Sequence, residues 1–202
     1  MLMASGPQPQ AGRGGLPVMR FATGEAWQAW LEQSHSSSPG VWLQIAKKHA
    51  TQPTPSYEEA LTVALCFGWI DGQKQKLDEA AWLQKFTPRG PRSVWSKRNR
   101  DKAEELIRTG EMQPAGLREV ERAQADGRWE AAYEPQSTAG VPEDLQAELA
   151  AHPEAKAFFE TLDSANRYAI LWRLQTAKRA DTRTRRLRRF IEMLERGEKL
   201  HP

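Results

Sequence analysis

SYEEALTVALCFGWIDGQKQKLDEAAWLQKF, residues 56–86, decides how this chain folds. It opens on a capping box: the Ser56 hydroxyl is placed to accept an orphan backbone N–H, while Glu59 reaches back to the start of the helix. Ala60, Leu61, Ala64 and Leu65 recur on one face, which predicts a helix to about Phe67, ended by Gly68. Trp69 and Ile70 then read as extended, Asp71-Gly72 as a turn signal, and 81–86 as a second strand, with 73–79 as the hairpin connection.

Working outward, 18–21 is strand-like, Thr23 caps a helix carrying Trp27, Trp30 and Leu31 on one side, and 40–46 alternates as a half-buried strand does. That order predicts a β-α-β opening. Downstream, Pro88, Gly90 and Pro91 interrupt regular structure. Ser93 or Ser96 then opens a helix to Thr109, and a second helix carries Leu117, Val120 and Ala123 to about Gly127. Residues 128–141 read as a linker, and Pro142 suits the first turn of a helix to Ala151. Three more one-faced helices follow, striped by Ala155, Phe158, Phe159 and Leu162, by Tyr168, Leu171 and Trp172 with Gln175, and by Leu187, Phe190, Ile191 and Leu194. The expected class is α+β: a small, mostly antiparallel sheet with packed helices at 18–127, followed by a C-terminal helical region at 142–202.

The 202 residues, 27% charged and 39% hydrophobic with eight Trp, suffice for a substantial core without staples. Cys66 is the single cysteine, so an intramolecular disulfide framework is excluded and a reducing cytoplasm is the expected home. Set between Leu65 and Phe67, it reads as a small buried hydrophobe and not as a nucleophile. No stretch of about 18 apolar residues predicts membrane insertion. The first 17 residues, rich in Gly, Pro, Ala and Gln, lack the apolar core of a secretory leader and are expected to be a disordered tail. A monomer or weak homodimer is expected.

A net charge of +3 conceals a strong segregation: residues 89–102 carry +5, 178–189 carry +6, and 111–163 carry −8. Oppositely charged helices of this kind solvate or pair within one fold more often than they bind nucleic acid.

The densest chemistry lies in 69–99. Arg89, held behind Pro88, suits bidentate capture of a carboxylate or phosphate. Trp69 and Trp95 suit the walls of a pocket for a planar group, and Lys74 adds positive charge. Ser96 and Asn99 stand where a helix begins, with its unpaired N–H groups and positive dipole end, and Asp71 either fixes a cation or accepts from a ligand. Together these seven predict a cleft for a small anionic or planar ligand. The competing structural reading makes the indoles core and Arg89–Asp71 an internal ion pair, and residue by residue it is the stronger.

No reaction is legible. The four His are scattered, with no metal-ligand spacing, and no phosphate loop, dinucleotide fingerprint or nucleophile elbow occurs, so neither metal nor cofactor is expected and the reading leans away from an enzyme. The alternative is a nucleic-acid or protein-interaction module using helices 96–109 and 181–196, with Arg183, Arg185, Arg186, Arg188 and Arg189 on phosphates. Against it, Arg118, Glu119, Glu121, Arg122 and Asp126 leave the would-be recognition helix net negative.

Trp69-Ile70-Asp71-Gly72, Phe86-Thr87-Pro88-Arg89, Ser93-Val94-Trp95-Ser96 with Asn99, and Gly110, Met112, Pro114, Ala115 and Gly116 resemble the YdeI/OmpD-associated proteins. So do Pro142-Glu143-Asp144-Leu145, Ala157-Phe158-Phe159, and Ala177-Lys178-Arg179 through Thr182, Arg183 and Arg186, which extends the resemblance over about residues 20–198. The resemblance implies a bacterial stress or envelope-resistance role of the bacteriocin-protection kind, on a soluble α+β protein with a helical C-terminal segment. It implies no substrate and no catalytic residue.

Overall fold

The computed structural model describes residues 10–202, which divide into two compact units. The first comprises the residues up to Ser93 together with Asp101–Trp129, and the second Val94–Arg100 with Glu130–Pro202. The class is α+β, as expected.

In the first unit, β1 (Gln10–Arg13) and β2 (Leu16–Met19) form a hairpin, followed by α1 (Gly24–Ser34), β3 (Val41–Ala46), α2 (Tyr57–Cys66), β4 (Trp69–Lys76) and β5 (Ala81–Pro88). The sheet order is β1-β2-β3-β5-β4. β2 and β3 are parallel, as the β-α-β reading requires, and the other pairs are antiparallel. The β1–β2 hairpin occupies part of the expected tail, of which residues 1–9 lie outside the described residues. Gly14 and Gly15 make it possible, with φ of +61° and +78°, values that favour glycine and match the twist of a two-residue hairpin turn.

The second difference concerns Asp71-Gly72, which is not the turn. β4 runs through it, and the ladder to β5 slips between Asp71 and Lys74, so the turn falls at 77–80. A glycine at a bulge reproduces the local signature of a turn. The buried Gln84 amide answers the irregularity by donating to the carbonyls of Gly72 at 2.9 Å and Gln73 at 3.3 Å.

Aromatic rings join α1 to the sheet. Trp27 stacks on Trp30 at 5.4 Å, meets Trp69 edge-on at 6.2 Å and reaches Phe86 at 5.8 Å. Its indole N–H donates to the Ala60 carbonyl at 3.1 Å, which ties α1 to α2. Thr23 caps α1, and Ser56 with Glu59 completes both halves of the predicted box on α2. Burial in this interior pushes the Cys66 thiol up to about 11, which suits an inert packing group.

α3 (Lys97–Arg108) begins in the second unit and continues in the first, and α4 (Pro114–Ala125) lies wholly in the first. α4 sits against the end of α2 at backbone distance. The Gln113 N–H donates to the Cys66 carbonyl at 3.3 Å, one of the acceptors that a helix end leaves open. A Cβ on Gly116 would stand 2.4 Å from that same carbonyl oxygen and 2.6 Å from the Leu65 carbonyl oxygen.

The second unit is helical: α5 (Glu143–Ala151), α6 (Pro153–Thr161), α7 (Ser164–Gln175) and α8 (Ala180–Glu195). Leu145, Phe159, Ile170, Leu174, Phe190 and Leu194 lie at the centre of its apolar core. The stripe of α7 is rotated from expectation: Ala169, Ile170, Leu171 and Leu174 are buried, whereas Tyr168 and Trp172 are half-exposed. Residues 130–141, expected within the linker, belong to this unit. The Tyr133 N–H donates to the Trp95 carbonyl at 3.0 Å and its carbonyl accepts from the Lys97 N–H at 2.9 Å.

Replacing Gly116 by Ala should destabilise the first unit by about 2 kcal/mol or more, because backbone stands in the way and α4 must shift. Thermal and urea unfolding measure this, and Ala at the open Gly127 provides a comparison limited to its backbone strain at φ +74°. In the second unit, Arg183 grips Asp144 bidentately at 2.7 and 2.8 Å and holds its carboxyl below the ordinary 3.8. This depressed value makes the stabilisation present above pH 3.8 and lost as pH falls through the lower folded value. Both groups are about a third exposed, so Asp144→Asn should cost about 1 kcal/mol or less at neutral pH. The gap in unfolding midpoint between variant and wild type should close in acid.

Candidate functional site

The seven residues singled out in 69–99 divide between the units. Trp69, Asp71, Lys74 and Arg89 belong to the first, and Trp95, Ser96 and Asn99 to the second.

Trp69 is 1% exposed and packs edge-on against Trp27 and Trp30, with its indole N–H donating to the His35 carbonyl at 3.1 Å. It is an aromatic core residue of the first unit. Arg89 is 5% exposed. Its backbone N–H donates to the Gly68 carbonyl at 3.0 Å and its carbonyl accepts from Arg122 at 3.4 Å, which fastens the end of β5 to the turn that follows α2.

Asp71 and Lys74 have a different setting. Both lie on β4, at the outer edge of the sheet order, on either side of the bulge. Asp71 Oδ2 accepts from the Tyr57 hydroxyl at 2.8 Å, and the Lys74 ammonium lies 4.7 Å from the ring centre of Trp82. Tyr57 and Trp82 are themselves 6.0 Å apart at a tilt of 42°. The bulge explains why Asp71 and Lys74 are neighbours here: Asp71 pairs with Phe86 and Lys74 with Gln84, two positions apart on β5, so both side chains leave the same face. The result is a half-exposed patch of one carboxylate, one ammonium, one phenol and one indole. Tyr57 and Trp82 escaped the sequence reading. Trp82 had a signal in its alternation with Leu83, but Tyr57, 14 residues before Asp71, had none.

In the second unit, Trp95 is 2% and Asn99 7% exposed. Ser96 caps α3, its hydroxyl accepting the Asn99 N–H at 3.1 Å, so that hydroxyl already serves the helix end. Lys97 pairs with Glu134 and holds its carboxyl below the usual range.

Of the five arginines on the basic helix, two are used within the fold. Arg183 binds Asp144 and the Leu174 carbonyl, and Arg186 donates to the Arg173 carbonyl. Arg185, Arg188 and Arg189 remain exposed. Among the described residues, no group of three His, Cys, Asp or Glu side chains is placed to hold a metal ion, and no helix is long and apolar enough to cross a membrane.

The second unit also has surface hollows that the sequence reading did not foresee. One, of about 390 Å³, is bordered by Tyr133, Tyr168 and Trp172, with Tyr133 and Trp172 edge-on at 6.1 Å. Tyr168 donates to the Glu134 carbonyl at 3.0 Å, and burial pushes its phenol up to about 12. Another, of about 410 Å³, lies along α5 and α6 and reaches Arg167 of α7. Reading Tyr168 and Trp172 as core concealed the first hollow. The second depends on helix packing that the separate stripes do not specify.

Comparison with known proteins divides the chain as its motifs do. A family model described as a domain of unknown function (DUF8412) matches residues 19–119, half of the chain, and takes in every motif quoted between Trp69 and Gly116. A second model, described as bacteriocin-protection, YdeI or OmpD-associated, matches residues 138–197 and takes in those from Pro142 to Arg186. No curated protein and no solved structure matches the chain. The chain thus belongs to the family of the domain of unknown function (DUF8412), which takes in half of it, and its residues 138–197 match the bacteriocin-protection, YdeI or OmpD-associated model.

Proposed function

We propose that this chain is a cytoplasmic, non-enzymatic stress protein of the bacteriocin-protection kind, a monomer or weak homodimer, whose first unit holds a small anionic or planar ligand. Within the segment 69–99, the ligand-facing groups are Asp71 and Lys74, joined by Tyr57 and Trp82, while Trp69 and Arg89 hold the strand ends behind them. The observation that carries the reading is the Lys74 ammonium 4.7 Å over the Trp82 ring, beside a Tyr57 hydroxyl already oriented by Asp71 at 2.8 Å. A cation poised on an indole can meet an anion while the ring remains a stacking surface for a flat group. The Asp71 carboxylate favours a ligand that also offers a donor.

Three exposed guanidiniums on α8, Arg185, Arg188 and Arg189, stand at helical spacings of three and four and support a second reading as a nucleic-acid contact.

Nucleoside monophosphates and aromatic carboxylates should raise the unfolding midpoint of the wild type through mass action, and should fail to do so for Lys74→Gln. Equal shifts in both proteins, or none in either, would remove the first reading. For the second, duplex DNA retention that falls steeply with salt and weakens when Arg185, Arg188 and Arg189 are all changed to Gln is the expected result. Retention indifferent to those three changes counts against it.

A further inference from the structure

The hollow of about 410 Å³ along α5 and α6 combines an apolar floor with two cations, Arg167 and Lys156, against one carboxylate, Glu160. Val141, Leu149 and Phe159 supply the floor, of which Leu149 and Phe159 are also part of the second unit's core, 6% and 5% exposed. The volume falls within the range of about 300–1,000 Å³ usual for small-molecule sites. Arg167 reaches it from α7 with its guanidinium carbon 5.3 Å above the ring centre of Phe159. One terminal nitrogen donates to the Glu160 backbone carbonyl at 3.2 Å, while Nε is buried with no acceptor. A guanidinium carries further N–H groups besides these, and a carboxylate is the acceptor whose geometry suits that fork best. Lys156, exposed on α6, is the second cation on the rim. Neither forms an ion pair among the described residues, although the Glu160 side chain also borders the hollow. The lining therefore carries one net positive charge over an apolar base.

We infer that this groove binds an amphiphilic monocarboxylate, an acyl or aryl chain ending in one carboxylate, with the apolar body on Phe159, Leu149 and Val141 and the anionic head between Arg167 and Lys156. The charge balance selects this class. One carboxylate brings the lining to neutrality, whereas a dianion or phosphate head leaves an excess negative charge beside Glu160, and an uncharged amphiphile leaves the positive excess of Arg167 and Lys156 unanswered. Phe159 borders the groove and carries the Arg167 guanidinium over its ring.

Titration calorimetry of the full chain with decanoate, kept below its micelle concentration, against 1-decanol tests the inference. Saturable decanoate binding is expected, weakened about tenfold in Arg167→Gln and about threefold in Lys156→Gln, with decanol weaker than decanoate in the wild type and unchanged by either substitution. Glu160→Gln, which removes the opposing charge, should strengthen decanoate binding by about threefold. Lys156 and Glu160 are exposed, so those two variants are expected to fold even if loss of the Arg167–Phe159 contact impairs the first, and circular dichroism establishes which variants are folded. Decanol binding as tightly as decanoate, decanoate affinity unmoved in the folded charge variants, or no saturable binding would each overturn the inference.

Discussion

Backbone-to-backbone approach between the end of α2 and the start of α4 is the constraint on which the first unit depends. A helix that ends inside a protein exposes carbonyls that must find donors, and here the Gln113 N–H serves Cys66. The contact is possible because Gly116 has no side chain where the Leu65 and Cys66 carbonyls stand, and because Gly68, at φ +73°, turns the chain away under Ala115. That turn also sets the Gly68 carbonyl against the Arg89 N–H at 3.0 Å, which fixes where β5 ends relative to where β4 begins. The start of the β4–β5 register is thereby tied to the α2–α4 contact, and the bulge beyond it brings Lys74 to the face of Asp71.

The second unit solves its problem differently. Its helices are one-faced and bury a shared aliphatic core, and the charges that this leaves outside are partly used as fasteners. Arg183 joins α8 to Asp144 at the start of α5, and Asn166 holds the chain end by accepting the His201 N–H at 2.8 Å. The excess of arginine in α8 is thus divided between structural guanidiniums and three that face solvent.

Elements defined by periodicity or capping chemistry were legible in the sequence. The Ser56–Glu59 box, the Thr23 cap and the alternation of β3 rest on short-range rules that operate without tertiary help, and the parallel β2–β3 pair follows from the strand–helix–strand order. The misreadings came where one local signal serves two geometries. Asp71-Gly72 marks a turn or a bulge with equal force, and only Gln84, twelve residues beyond Gly72, decides for the bulge. Gly14-Gly15 was hidden because the surrounding Gly and Pro resemble an unstructured tail. The site was partly legible: the segment contains Asp71 and Lys74, but Trp69 stands out by size and not by exposure, and aromatic size is the signature of core and pocket alike. Tyr57 becomes a partner of Asp71 only through the packing of α2 on β4.

β4 is one of the two outer strands of the sheet, and an outer strand offers a row of backbone donors and acceptors to any other chain that passes. This one is interrupted by its bulge and carries Lys74 and Lys76, both exposed. A second molecule attempting to extend the sheet here meets a broken hydrogen-bonding template and its own positive charge, so the irregularity that aims Asp71 and Lys74 outward also guards this border against edge-to-edge aggregation.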